Sequence, residues 1–60
     1  MKPYVISIYR DRSGEYRWRM KRRRGGRILA DSGEGYARRS DCRRAVSSLP
    51  FNFGQIEVQK

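Results

Sequence analysis

The most regular alternation of polar and apolar residues in the chain runs from Glu15 to Lys21. Tyr16, Trp18 and Met20 take the apolar positions, and every residue between them is charged. Successive side chains of a β-strand point to opposite faces, so the pattern predicts a strand with one buried and one solvated face. Such strands are typical of antiparallel sheets that are covered on one side only.

A second strand is predicted over residues 3–10, which are rich in β-branched and aromatic residues and contain no glycine. The Asp-Arg-Ser-Gly sequence that follows is typical of a turn, so the two strands should form a hairpin. We expect a register in which Ile8 lies opposite Tyr16 and Ile6 lies opposite Trp18. A slip by one residue would bring arginines to the apolar face, which is costly.

A third strand, Arg27–Ser32, should follow a hairpin turn at Gly25-Gly26. On the polar face of the sheet we expect Arg17 to meet Asp31 as a cross-strand ion pair. On the apolar face, the same register places Met20 opposite Ile28 and Trp18 opposite Ala30.

The apolar spacing changes to that of a helix from about Arg38 onward. The residues at positions i, i+3, i+4 and i+7, which share one helix face, are Cys42, Ala45, Val46 and Leu49. We expect Ser40-Asp41 to cap the start of this helix, because short polar side chains accept hydrogen bonds from the first free amides. Pro50 should end the helix.

A last strand is predicted over Gln55–Gln59, where Ile56 and Val58 should point inward. The element order β-β-β-α-β predicts an α+β fold. We expect a small antiparallel β-meander with one helix packed on one face of the sheet, and with the last strand joining an edge. Residues 1–60 should form a single domain.

The composition of the chain limits the kinds of site it can build. Fifteen Lys and Arg against six Asp and Glu give a formal net charge of +9, and twelve of the cations are Arg. Arg binds phosphate and carboxylate through forked hydrogen bonds, so polyanions, nucleic acid first, are the expected partners. A single Cys excludes an internal disulfide, and with no His the chain is not expected to hold zinc or another cofactor.

The same composition bears on where the protein resides. A lone Cys without other oxidised features is typical of a reducing cytoplasm. No apolar run of the sequence approaches the roughly 20 residues of a membrane helix. We therefore expect a cytoplasmic protein with no membrane partner.

A catalytic role is not expected. The chain lacks His, the commonest general base. Its only thiol, Cys42, lies on the predicted apolar face of the helix, where a buried structural Cys is favoured over a nucleophile. The six acidic residues are scattered among cations and are better interpreted as turn formers, caps and ion-pair partners. We predict no catalytic residue.

Four segments of the chain carry a family resemblance. They are Ile6–Asp11, Gly14–Met20, Ile28–Tyr36 and Asp41–Val46. Together they resemble the YegP-like family of small bacterial and archaeal domains of unknown function. The resemblance implies a β-β-β-α unit that occurs as a tandem repeat or as a dimer of single copies, so a chain with one copy should be a homodimer. It implies no activity and no site residue.

The predicted turn between the second and third strands departs from the family pattern, which usually has a neutral Asn-Gly sequence there. Clustered like charges repel one another, and phosphate binding would relieve that repulsion, although charge runs are often only solvated. The expected main phosphate contacts are Lys21, Arg22, Arg23, Arg24 and Arg27. The expected secondary contacts, on the helix, are Arg38, Arg39, Arg43 and Arg44.

These cations favour non-specific binding of DNA or RNA through phosphate contacts. The alternative is a protein-interaction module, such as a small regulator or inhibitor, that uses the same cations against an acidic protein. On the sheet face opposite the helix, Tyr9 with Arg17 and Arg19 could stack on single-stranded bases. The exposure expected there for Val5 and Leu29 favours a dimer interface instead.

Overall fold

The computed structural model describes residues 1–59, which form four strands, one α-helix and one short 3-10 helix. The elements are β1 (Tyr4–Arg10), β2 (Tyr16–Arg22), β3 (Ile28–Asp31), α1 (Arg39–Ser47), the 3-10 helix (Phe53–Gln55) and β4 (Ile56–Val58). The predicted α+β class and the predicted element order are confirmed. One face of the sheet is covered by α1, and the opposite face carries most of the strand cations.

The sheet has the strand order β3-β2-β1-β4, so β1 lies in its interior although it comes first in the chain. β1, β2 and β3 form the predicted antiparallel meander. β4 joins the edge beside β1 and pairs with it in parallel, so the sheet is mixed. Parallel neighbours need a crossover connection, and α1 provides it by returning the chain across the sheet.

The pairing of β1 with β2 differs by two residues from the prediction. The observed pairs are Ile6–Met20, Ile8–Trp18 and Arg10–Tyr16, and the predicted pairs Ile8–Tyr16 and Ile6–Trp18 are wrong. The reason lies in the turn, where Gly14 has a left-handed φ of +88°. Its N–H donates to the Asp11 carbonyl at 3.1 Å, and the Asp11 N–H donates to the Glu15 carbonyl at 2.8 Å. The turn contains a glycine bulge. Five residues separate its last strand pair, Arg10–Tyr16, whereas the predicted register leaves three residues there.

The pairing of β2 with β3 is also shifted. The observed pairs are Arg19–Asp31, Met20–Ala30 and Lys21–Ile28. The predicted pairs Arg17–Asp31, Met20–Ile28 and Trp18–Ala30 are therefore wrong. A bulge between Met20 and Lys21 gives β3 one extra residue, and such an insertion changes the register of everything beyond it.

The helix α1 lies close to its predicted position, but it begins differently. Its N-cap residue is Arg38, whose side chain makes no capping hydrogen bond, and Ser40-Asp41 lie inside the first turn. The predicted cap is therefore wrong. The Asp41 carboxylate, in the first turn, still interacts favourably with the positive end of the helix dipole. The helix ends before Pro50, as expected. Among residues 1–59, no helix is long and apolar enough to cross a membrane.

The core lies between α1 and the sheet and includes Trp18. Trp18 is 6% exposed, and its ring meets Phe51 edge-on with the ring centroids 6.2 Å apart. The other buried members of this cluster are Ile6, Ile8, Cys42, Val46 and Ile56. The burial of Trp18 and Cys42 agrees with their interpretation as core residues.

Two apolar side chains differ from expectation. Val58, predicted to point inward, remains 37% exposed because β4 is an edge strand. Val5, predicted to be exposed, is 8% exposed, whereas Leu29 is 45% exposed as expected. Val5 lies between Lys21 of β2 and Glu57 of β4, and long polar side chains commonly cover apolar neighbours with their aliphatic stems.

Replacing Trp18 with Ala should lower the free energy of unfolding by about 3–5 kcal/mol, because the change leaves a cavity under α1. A domain of 60 residues has little stability in reserve, so the variant should be largely unfolded at room temperature. Urea denaturation followed by circular dichroism measures the effect. Arg12→Ala, a change at an exposed turn residue, is the control and should change stability little; a Trp18→Ala variant as stable as this control would contradict the packing.

Candidate nucleic-acid interface

The densest positive charge lies at the turn between β2 and β3, residues 21–27, which we call the basic turn. Gly25 and Gly26 both have left-handed backbones, with φ of +85° and +66°, which other residues adopt only with strain. The Arg22 N–H donates to the Arg27 carbonyl at 3.0 Å and closes the turn. The exposed guanidinium groups of the turn belong to Arg22, Arg24 and Arg27, and Lys21 is half-buried.

Arg23 has a different role from its neighbours in the basic turn. Its backbone N–H donates to the Pro3 carbonyl at 2.8 Å, and its Nε donates to the Lys2 carbonyl at 2.7 Å. Its Nη2 forms an ion pair with Glu57 Oε1 at 2.5 Å. Arg23 therefore ties the segment before β1 and the strand β4 to the turn, and its charge is already paired.

Lys2 belongs to the candidate site, although it is not among the contacts predicted from the sequence. It lines a hollow of about 460 Å³ together with Pro3, Arg22, Arg23 and Arg24. The pairing of β1 with β2, continued back from Tyr4–Arg22, brings Lys2 beside Arg24. The hairpin prediction could have indicated this neighbour, because any register near the observed one places residue 2 against the basic run.

The structure divides the four helix arginines between two ends of the sheet. Arg38-Arg39 begins two residues after Tyr36, which pairs with Tyr16 at the start of β2. The basic turn follows the other end of β2, about 20 Å away for a seven-residue strand. Arg38-Arg39 is therefore not part of one patch with the basic turn.

Arg43 lies in a different position. It lines a second hollow, between α1 and β4, together with Lys2. Lys2 is thus a member of both hollows and lies between the basic turn and Arg43. Arg44 is exposed in the last turn of α1.

The sheet face opposite α1 does not present the open stacking surface that its composition indicated. The guanidinium carbon of Arg19 lies 4.0 Å from the centre of the Tyr9 ring. Arg17 Nε donates to Asp11 Oδ2 at 2.6 Å, so Arg17 pairs with the turn carboxylate. The predicted ion pair of Arg17 with Asp31 is wrong. Arg17 is therefore paired within the chain, and Arg19 covers one face of the Tyr9 ring.

Asp11 organises the turn at the far end of the β1–β2 hairpin. Its Oδ1 accepts hydrogen bonds from the Ser13 Oγ at 2.7 Å and from the Ser13 and Glu15 N–H groups at 2.9 and 3.0 Å. The hydrogen bond from Ser13, and then the one from Arg17, lower the pKa of the Asp11 carboxyl well below its usual range. The carboxylate in turn raises the pKa of Arg17.

Cys42 is a buried thiol. Its relative exposure is 0%, and burial raises the pKa of its thiol, an effect that the nearby charge of Arg39 partly opposes. A buried thiol with a raised pKa is a poor nucleophile. The position agrees with a packing role.

These features define a small basic α+β domain with one helix on a mixed four-stranded sheet. The chain matches the family described as "Domain of unknown function (DUF1508)" over residues 11–52, more than half of its length. It therefore belongs to this family, in agreement with the YegP-like resemblance of its sequence.

Relatives and a solved structure support the same assignment. A UPF0339 protein of Neisseria meningitidis serogroup B is 48% identical over 55 residues, which cover 92% of this chain and 95% of the relative. A UPF0339 protein from the 5′ region of the ptx operon of Stutzerimonas stutzeri is 44% identical over 48 residues, 80% of this chain and 41% of the relative. An NMR structure of a protein from Haloferax volcanii has a TM-score of 0.75 and 33% identity, and the match covers 100% of this chain and 98% of that one.

The lowered pKa of Asp11 predicts an acid-sensitive hairpin. A depressed folded-state pKa contributes stability above the ordinary carboxyl value of about 4, and that stability is lost as pH falls below it. The melting temperature of the wild type should therefore fall between pH 5 and pH 2, and that of Asp11→Asn should fall less. Asp31→Asn, which also removes one carboxylate, is the matched control. Parallel pH profiles for the wild type and Asp11→Asn would contradict the interpretation.

Proposed function

We propose that this protein binds nucleic acid without sequence preference, through contacts between the basic turn and backbone phosphates. The observation that carries the proposal is the exposure of Arg22, Arg24 and Arg27 on one hydrogen-bonded turn. Guanidinium groups bind phosphate through charge-assisted, often bidentate hydrogen bonds. Repulsion within the turn is relieved when a phosphate lies between the cations.

The residues of the basic turn divide into contacts and a support. Arg22, Arg24, Arg27 and Lys21 are the proposed contacts, with Lys2 beside them. Arg23 is the support, because Glu57 and two backbone carbonyls already use its donors and N–H. Of the arginines of α1, Arg43 is the proposed secondary contact, because it lies nearest to this set through Lys2.

The proposed role is binding, not catalysis, and the proposed location is the cytoplasm. Support for the first comes from the absence of His in the sequence and from the burial of Cys42. Support for the second comes from the single free thiol, which suits a reducing compartment. An acidic protein surface would meet the same cations, and it is an outcome of the test below.

Replacing Arg24 with Gln should weaken nucleic-acid binding and flatten its salt dependence. Each lost phosphate contact should reduce the slope of log K against log salt by about 0.9 on duplex DNA, because fewer counterions are released. Fluorescence anisotropy with a labelled duplex, between about 50 and 200 mM salt, measures the slope.

Arg12→Gln is the matched control for this measurement. It removes the same charge from an exposed turn at the opposite end of β2, and its slope should stay close to that of the wild type. Equal slopes for the two variants would move the site away from the basic turn. No binding to duplex or single-stranded oligonucleotides at about 50 mM salt would overturn the proposal and favour an acidic protein partner.

We further propose that the protein is a homodimer. The support comes from β3, an edge strand whose Ile28 and Leu29 are 52% and 45% exposed. Apolar side chains adjacent on an edge commonly mark an interface. Because a bulge distorts this edge and bulges hinder strand pairing, we propose packing of these side chains against a second copy, not a continuous sheet.

Leu29→Lys should shift the protein toward monomers, because burying a lysine at the interface is costly. Sedimentation velocity at micromolar concentration measures the change. Ala37→Lys adds the same charge at another exposed position and should leave the dimer intact. A wild-type monomer at this concentration would contradict the dimer itself, and a dimeric Leu29→Lys would place the interface elsewhere.

A further inference from the structure

The hollow between α1 and β4 has the size and composition of a ligand site. Its volume is about 460 Å³, within the range of small-molecule pockets. Its lining includes Lys2, Arg43, Val46, Phe53, Ile56 and Val58. Four of these six are apolar, and the two others are cationic.

The apolar part of the hollow is only partly used by the fold. Val46 and Ile56 form its inner wall and are 2% and 5% exposed. Phe53 is half-buried, and the centroid of its ring lies 6.3 Å from that of the Phe51 ring. Val58 remains 37% exposed on the edge strand. An aromatic ring and an aliphatic side chain are therefore accessible in a concave site.

The rim of the hollow is positively charged. The Lys2 Nζ donates to the carbonyl oxygens of Phe53 and Ile56 at 3.3 and 3.5 Å. These two bonds hold the ammonium group at the mouth of the hollow and leave its third N–H available. Arg43 reaches the same rim from the exposed side of α1.

We propose that this hollow receives a base of a single-stranded nucleic acid, with Phe53 as the stacking residue and with Lys2 and Arg43 on the flanking phosphates. The proposal rests on the proposed function and gives it a preferred substrate. Single-strand binders combine a cationic path with aromatic side chains, because every base has a ring face to stack and every linkage carries a charge.

The position of Lys2 connects the hollow to the basic turn. Lys2 also lines the hollow that contains Arg22 and Arg24. A strand whose phosphates lie on the basic turn can therefore continue past Lys2 and place a base beside Phe53. An apolar ligand without charge would use the inner wall but neither rim cation, and a double helix would keep its bases stacked and out of reach.

The decisive comparison uses two oligonucleotides of equal length, a twelve-residue thymidine strand and a strand in which all twelve sites are abasic. Both carry the same backbone, and only the first can stack. Phe53→Leu should weaken binding of the thymidine strand about tenfold, the size of one base–aromatic contact, and should change binding of the abasic strand less than about twofold. Phe51→Leu makes the same change outside the hollow and should affect both strands alike.

The rim has its own matched pair of variants. Arg43→Gln should reduce the salt slope for the thymidine strand by about 0.7, the value for a single-strand phosphate contact. Arg44→Gln removes the same charge from the next residue, which does not line the hollow, and should have the smaller effect. Equal slopes for these two variants would count against the hollow.

An NMR titration of the wild type keeps the proposal testable if Phe53→Leu does not fold. The side-chain signals of Val46, Phe53 and Val58 should move with the thymidine strand and not with the abasic strand. Octanoate, an apolar anion without a base, is titrated in parallel. Movement of these signals with both strands, or with octanoate but neither strand, would overturn the base pocket and leave phosphate binding at the basic turn intact. Binding of neither strand would overturn the pocket, and absence of duplex binding as well would overturn the proposed function.

Discussion

The structure depends on the one-sided burial of Trp18. Most of the apolar side chains of the sheet lie on one face, where α1 covers them. The helix has nine residues and a polar exterior, too short for independent stability in water. Cys42 and Val46 pack it against the sheet. The Phe51 ring contacts the Trp18 ring edge-on. The cations are thereby left on the outer surface of the sheet and the helix.

Much of this fold follows from periodicity alone. The alternation of β2 and the i, i+3, i+4 spacing around Cys42 were sufficient to predict the elements and their faces. The registers were not predictable to the residue, because pairs two apart satisfy the same alternation. The difference was decided by the left-handed Gly14 and by the bulge beside Met20, and both are properties of backbone geometry. The parallel direction of β4 likewise depends on where α1 ends.

The sequence is sufficient to predict how many cations the protein carries, but not which of them form the candidate site. The basic run indicates where cations are dense, but it does not indicate which of them are already paired. Arg17, Arg19 and Arg23 each found a partner within the chain, on Asp11, Tyr9 and Glu57. Those partners come from other turns and strands, so only the folded geometry separates paired from available guanidinium groups. The same geometry brings Lys2 to the candidate site from the segment that precedes β1, the other strand of the β1–β2 hairpin.

The parallel pairing of β4 with β1 has a consequence for the order of folding. β1 is synthesised first and gains β2 as a local neighbour, but its second neighbour is separated from it by nearly the whole chain. The meander can form early from short-range contacts, whereas the other edge of β1 stays unpaired until α1 has docked. The ion pair between Arg23 and Glu57 connects the meander to β4, so it can form only after β4 has paired. During synthesis the open edge of β1 is therefore exposed to pairing with another chain.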